Sequence, residues 1–272
     1  MAKSALLKSS LAKKYWMALT GLFLCLFLAG HLAGNLQLIF GTSLQFNEYA
    51  LFMTTNPAVK VLSYLTYISI LFHAIDGFIL TIQNRKARPV RYVKTDPGAN
   101  SGFASRNMAV LGTLILVFIV THMTNFWAKM HFDKDMPLHT VTVTNSMGGQ
   151  PMELYVTTNG NYLEKSSVEV KNRTELYNPQ FDIKMGDAYK DLYKITVDFF
   201  KHPKFGLWAT IGYALAMLVL AFHLWHGFQS AFISMGLNDK RWTPSIKLFG
   251  RLFSIIVPLL FAVIPVYIHF FK

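Results

Sequence analysis

The sequence predicts an all-α integral membrane protein of five transmembrane helices, with a small element inserted in one outer loop. Three observations predict it. Of 272 residues, 53% are hydrophobic and only 15% are charged, against about 25% charged in an average soluble domain. The apolar residues gather into five runs, each long enough to cross a hydrocarbon core, which takes about 20 residues. The charged residues are nearly absent from those runs and crowd the segments between them. Such a chain is too apolar to be disordered. Its one cysteine, Cys25, excludes an internal disulfide framework and any multi-cysteine zinc or iron–sulfur site.

The first run, Tyr15 to Phe40, has no charged residue. Lys3, Lys8, Lys13 and Lys14 precede it, as in a signal peptide, but a signal's apolar core is only about 7–15 residues. It is read as a retained helix. The second run, Val59 to Ile82, contains one charge, Asp76. The third runs from Met108 to Trp127, the fourth from Phe205 to Ser234 and the fifth from Leu248 to Phe271. Open sheets cannot cross lipid, because their edge amides and carbonyls have no partners there. Closed barrels need short alternating segments, which these are not. The chain thus divides into helices one to three (1–127, with spans 15–40, 59–82 and 108–127), an extracytoplasmic insertion (128–204), and helices four and five (205–272, with spans 205–234 and 248–271).

Orientation follows from Lys and Arg in the short loops. The tail carries the four lysines named above. The loop after helix two carries Arg85, Lys86, Arg88, Arg91, Lys94 and Arg106, and the loop before helix five carries Lys240, Arg241, Lys247 and Arg251. These segments share one side, which is predicted to be cytoplasmic, with the C-terminus outside. Their only acids are Asp96 and Asp239, so the net charge of +12 resides there. It points to anionic lipid or a docked cytoplasmic partner rather than to nucleic acid.

The segment 128–204 is electrically neutral. Thr140 to Thr144 alternates like a strand, and Gly148-Gly149 suits a turn. Asp187 to Phe200 has apolar residues near helical spacing and is expected to lie along the membrane surface. No catalytic constellation stands out, and a cap over the outer face is the expected role. His131, His139, His202 and His269 are expected to be ordinary surface residues.

The other five histidines, His31, His73, His122, His223 and His226, sit inside apolar runs. An ionisable side chain there is costly and marks a functional site by default. Counted along helices that rise about 1.5 Å per residue, they fall at two depths. His31 and His122 lie in the outer half, His73 and His223 in the inner half. Two facing imidazoles at one depth make a bis-histidine haem site, so the first four helices are read as a haem-binding bundle. Gly34, Gly77 and Gly227 follow their histidines by three or four residues, on the same helix face, and leave room for a flat macrocycle. His226 is a spare, placed to reach a haem propionate or the interface. The alternative for each histidine alone is interhelical hydrogen bonding, and for the glycines plain packing.

These residues resemble a family, the single-chain di-haem cytochrome b subunit of succinate dehydrogenase and fumarate reductase. Gly30-His31-Leu32 with Asn35, Phe72-His73-Ala74 with Gly77, Thr121-His122 with Trp127, and Phe222-His223 with Gly227 resemble its ligand segments in order. Phe46-Asn47, Phe52-Met53 and Pro57 resemble its loop into helix two. The insertion of about 75 residues before helix four is a departure. The resemblance implies two b haems, held by His31 with His122 (outer) and by His73 with His223 (inner). It implies a flavoprotein subunit and an iron–sulfur subunit on the cytoplasmic face of a bacterial inner membrane, and a quinone, with menaquinone favoured. A quinone taking up two electrons also takes up two protons, which calls for a carboxylate or hydroxyl beside an apolar slot. Glu48 is the candidate. Asp76, one turn from His73, is a candidate for orienting the inner haem region. Competing readings are the di-haem anchor of a hydrogenase or formate dehydrogenase, and a haem-free transporter using a histidine relay.

Overall fold

The computed structural model describes residues 9–87, 90, 96, 99, 101–144 and 150–272. Lys3, Lys8, Arg88, Arg91, Lys94 and the Gly148-Gly149 turn lie outside the described residues. Five helices are long and apolar enough to cross a membrane: Leu11–Phe40, Pro57–Lys86, Met108–Phe132, Gly206–Ser234 and Thr243–Phe271. The chain is an all-α membrane protein.

The first span is α1 (Ser10–Asn35) continued by the short α2 (Gln37–Phe40). Ser9 caps its start by accepting from the Ala12 amide. A helix absent from the sequence reading, α3 (Ser43–Thr55), follows. Thr42 and Gln45 form a reciprocal capping box at its N-terminus. The second span is α4 (Pro57–Lys86). Asn56 caps it and Pro57 opens it, so it begins before the apolar run does. After the short α5 (Phe103–Arg106), the third span starts as α6 (Met108–His122). It passes through a π-helical turn, Met123–Trp127, and ends in α7 (Ala128–Phe132). It therefore runs one turn beyond Trp127. The fourth span is α9 (Gly206–Ser234). The fifth, α10 (Thr243–Phe271), is opened by Pro244 ahead of Leu248.

The first four spans close into a ring. Helix α1 packs on α4, α4 on α6, α6 on α9, and α9 on α1. Helix α10 stands outside the ring against α9 and α1. Its contact with α9 is close: a Cβ at Gly250 would lie 2.6 Å from Phe228 Cδ1, so glycine is required there. Helices α4 and α6 bury almost none of their side chains, since Thr66 and Leu111 alone fall in the buried class. Their outward faces are apolar and suited to lipid. Their inward faces border an open interior.

At the outer end, residues 133–144 and 150–201 build a small mixed element. Its strands are β1 (Thr140–Val143), β2 (Met152–Val156), β3 (Tyr162–Glu164), β4 (Glu169–Lys171), β5 (Glu175–Asn178) and β6 (Ile183–Asp187). They form two antiparallel sheets, β1-β2-β3 and β4-β5-β6, around Tyr155, Leu176 and Ala188. The expected strand at 140–144 is present as β1, paired Thr140 to Tyr155 through Val143 to Met152. The expected helix at 187–200 is shorter, α8 (Leu192–Lys201), with Asp191 as its cap. Its apolar side packs against α3, α9 and α10, with Thr196 and Phe200 buried.

Candidate functional site

The ring of α1, α4, α6 and α9 encloses one continuous cavity of about 1070 Å³. A pocket for a single small ligand is usually about 300–1,000 Å³. His31, His73, His122, His223 and His226 all line it.

The four expected ligands meet in pairs. His31 on α1 faces His122 at the end of α6, with ring centroids 5.9 Å apart and planes at 88°. His73 on α4 faces His223 on α9, at 6.1 Å and 67°. The pairs lie at different depths. Thr20 and Gly21 of α1 touch His73, and His31 is ten residues beyond Gly21. Gly112 of α6 touches His223, and His122 is ten residues beyond it. Both intervals give a separation of about 15 Å between levels.

The surroundings fix the rings. His31 stacks on Phe27, 5.2 Å away, and Phe261 of α10 lies 5.7 Å behind it. Asn35 Nδ2 donates to the His31 carbonyl at 2.8 Å and lies 3.4 Å from the ring Nδ1. His122 sits among Phe118, Phe126 and Tyr213. His73 Nδ1 is 3.3 Å from Thr20 Oγ1. The Thr20 hydroxyl hydrogen goes to the Trp16 carbonyl at 2.7 Å, so its oxygen accepts from His73 Nδ1–H. That leaves the His73 Nε2 lone pair free as a metal ligand.

Three observations test the fit of a haem at each pair. Two imidazoles bound to one metal from opposite sides, through bonds of about 2 Å, have ring centres roughly 6 Å apart, as both pairs do. No group of three or more His, Cys, Asp or Glu able to hold a metal exists among the described residues. Each pair thus offers two side-chain ligands, which is the number that a metal already held in a macrocycle requires. Finally, His122 Nδ1 and His223 Nδ1 are buried with no hydrogen-bond partner, which costs about 1–3 kcal/mol each. Interhelical hydrogen bonding does not explain rings that make no such bond. The residues present fit the group.

The three glycines expected beside the ligands all line the cavity, but their neighbours differ. A Cβ at Gly34 would strike the Tyr49 ring at 2.5 Å, so this glycine admits Tyr49 of α3. Cβ atoms at Gly77 and Gly227 would meet only Met17 and Met108, at 3.7 and 3.9 Å. The glycine closest to an imidazole is Gly21, where a Cβ would stand 3.1 Å from His73 Cε1. Gly112 follows, 3.6 Å from His223 Cε1. Both are on a helix neighbouring the ligand's own, where spacing along one helix gives no signal.

Glu48 is exposed on α3 and does not line the cavity. Its neighbour Tyr49 lines the cavity instead, while Asn47 is buried against Asp191 and His139. The outer mouth is lined by Tyr49, Ser63, Tyr67, Trp127 and His131. Burial pushes the Tyr49 phenol above its ordinary value. Trp127 Nε1 donates to Tyr67 OH at 2.8 Å and stacks on His131 at 4.5 Å. The π turn that begins straight after His122 aims these side chains, and π-bulges recur at functional sites. At the inner mouth, His226 Nε2 lies 3.1 Å from Ser230 Oγ, and Lys14 and Asn84 also line the cavity. Asp76 is partly buried near His73 and Lys13 and makes no hydrogen bond among the described residues.

The histidines expected at the surface behave differently from one another. His131 and His202 stack on Trp127 and Phe205. His269 Nδ1 bonds the Phe200 carbonyl at 2.6 Å. His139 is no surface residue: it is 3% exposed and meets Asp191 and Asn47. It is buried because the strand element folds down onto α3.

No family model, curated protein or solved structure matches the chain.

Proposed function

We propose that the chain is the membrane-anchor cytochrome b subunit of a succinate:quinone oxidoreductase. It carries electrons between a cytoplasmic iron–sulfur subunit, itself joined to a flavoprotein subunit, and membrane quinone. The observation that supports this reading most is the pair of facing histidine couples at two depths of one cavity. His31 and His122 would hold the outer haem b, and His73 and His223 the inner. Bound haem supplies a one-electron centre at each level. The chain supplies the rest. Thr20 holds His73 in the tautomer that presents Nε2. Phe27, Phe118, Phe126 and Phe261 keep water from the outer pair. Lys14, Asn84 and the His226–Ser230 couple offer donors to macrocycle carboxylates at the inner mouth.

The quinone, menaquinone by preference, is assigned to the outer mouth, where Tyr67 and His131 offer exchangeable protons beside an apolar wall. The basic, inner end faces the cytoplasm of a bacterial inner membrane and docks the iron–sulfur subunit. The deciding experiment is a reduced-minus-oxidised spectrum of the purified protein, with extracted haem counted per chain. Two low-spin b haems are expected. Folded protein without haem would overturn the reading. Co-purification with a flavin-bearing subunit then separates this anchor from that of a hydrogenase or formate dehydrogenase.

A further inference from the structure

At the inner end, the seam between α9 and α10 carries positive charge that nothing in the described chain balances. Arg251 lies eight residues past Thr243, about 12 Å along α10. Its Cζ stands 5.7 Å from the centre of the Trp225 ring on α9. Lys247 lies one turn nearer the helix end than Arg251, on the same face. Gln229 stands in the same relation to Trp225. The side chains of Arg251, Lys247 and Gln229 have no hydrogen-bond or ion-pair partner among the described residues.

The setting narrows the kind of anion that would suit these residues. Arg251 is exposed, yet Leu248 and Phe249 before it and Leu252, Ile255 and Leu259 beyond it are exposed apolar residues. Trp225 is 46% exposed. A cytoplasmic protein would meet the polar helix ends, whereas this seam has exposed apolar residues on both sides of the charge. Helix α10 is about 43 Å long, against about 40–45 Å for a bilayer with its headgroups. Its first turns therefore lie in the headgroup layer, within reach of the long Arg251 side chain. An exposed Trp is the residue expected at that layer.

We propose that this seam is a headgroup site for an anionic phospholipid. Arg251 and Lys247 take the phosphodiester oxygens through charge-assisted hydrogen bonds. Gln229 donates a further one. Trp225, Leu252 and Ile255 carry the glycerol and the first methylenes of the chains. None of Trp225, Gln229, Lys247 and Arg251 lines the cavity, so the site does not depend on the role of the histidine pairs.

The test is native mass spectrometry of the full-length chain in detergent, titrated with phosphatidylglycerol or phosphatidylcholine at equal concentration. The wild-type protein should retain one phosphatidylglycerol in preference to phosphatidylcholine. The Arg251→Gln/Lys247→Gln variant should lose that preference by about tenfold. Arg251→Lys, which keeps the charge but not the planar fork, should fall between them. Excess inorganic phosphate should leave the lipid bound. Equal retention of both lipids by the wild-type protein would overturn the proposal, whether or not the variants fold. So would displacement of the lipid by phosphate alone. A wild-type dimer that the double variant dissolves would assign the seam to a second copy of the chain instead.

Discussion

Asn47 donates its side-chain amide to Asp191 Oδ1 at 2.8 Å, joining residues 144 positions apart. The same amide lies 3.3 Å from His139 Nδ1, and Asn47 Oδ1 accepts the Tyr193 amide at 3.0 Å. Asp191 also caps α8 through the Lys194 amide at 2.9 Å. One buried carboxylate thus ties α3, the strand element and α8 together. Helix α3 in turn carries Phe46, Tyr49, Met53 and Thr54 along the outer end of the cavity. The insertion that sequence reading treats as a cap is fastened to the wall of the site.

This node predicts an acid-sensitive outer element. Burial raises the Asp191 carboxyl, but hydrogen bonds from His139, Asn47 and the Lys194 amide outweigh it, and the net shift is downward. A carboxyl with a folded pKa below its unfolded value stabilises the fold fully above the unfolded pKa, about 3.9. That stabilisation is lost as pH falls through the folded value. The wild-type outer element should therefore hold constant stability from neutral pH down to about 4 and weaken below it. Asp191→Asn should flatten this acid limb and cost about 1.5–3 kcal/mol at neutral pH. Proteolysis of the 133–201 segment against pH reads both effects. An unchanged acid limb in the variant would remove Asp191 from the account.

Thr20 yields a prediction that separates the two levels. Thr20→Val keeps the side-chain shape and removes the oxygen that accepts from His73 Nδ1–H. Losing such a second-shell partner usually costs 10- to 100-fold in metal affinity or activity. Haem retention at the inner level should fall accordingly, with the outer level unchanged. Redox titration with haem counted per chain distinguishes the two. Equal loss from both levels would mean that the bundle had relaxed as a whole.

Much of this was legible in the sequence, and the rest was hidden for physical reasons. The spans show because lipid permits few charges, and the histidine levels show because helix rise is regular. His73 with His223 and His31 with His122 could be paired by counting alone. What crosses between helices could not. Thr20 and Gly21 matter because α1 passes His73, and Gly112 because α6 passes His223. The strands β2 to β6 escaped because none of them carries the unbroken alternation of β-branched polar and apolar residues that marks β1. That the apolar face of α8 meets α3, α9 and α10 was hidden because an amphipathic face looks the same whether it meets lipid or a bundle. His139 looked exposed because a lone histidine in a polar loop gives no sign of burial.

The glycines make a graded prediction. At Gly34 a methyl group would overlap the Tyr49 ring, with contacts at 2.5–2.7 Å. Gly34→Ala must push Tyr49 and α3 away from α1. At Gly21 the contact of 3.1 Å requires the His73 ring to yield by a few tenths of an ångström. At Gly112 the contact of 3.6 Å is ordinary. Thermal stability should fall most in Gly34→Ala, by about 1–3 kcal/mol as in other overpacked sites, and least in Gly112→Ala. Gly21→Ala should alter the spectrum or potential of the inner level more than it alters stability. The opposite ranking of Gly34 and Gly112 would show that the space beside Gly112 is the tighter of the two.

Glu48 and Tyr67 set up the last contrast. A residue that delivers protons to a bound quinone needs to reach it directly or through one water. Glu48 is exposed and absent from the cavity wall, while Tyr67 lines the outer mouth with its hydroxyl held by Trp127 Nε1. On this geometry Glu48→Gln should leave quinone turnover within about twofold of wild type. Tyr67→Phe removes the proton and the acceptor of the indole N–H together, and should lower turnover by about tenfold or more, since positioned acid–base groups contribute 10²- to 10⁴-fold. Haem content should be unchanged in both variants, because neither residue touches an imidazole. Steady-state assays with a soluble quinone analogue, run on protein of verified haem content, measure the contrast. A large loss in Glu48→Gln with little in Tyr67→Phe would return the proton path to the carboxylate, and α3 would then have to turn to bring Glu48 into the mouth.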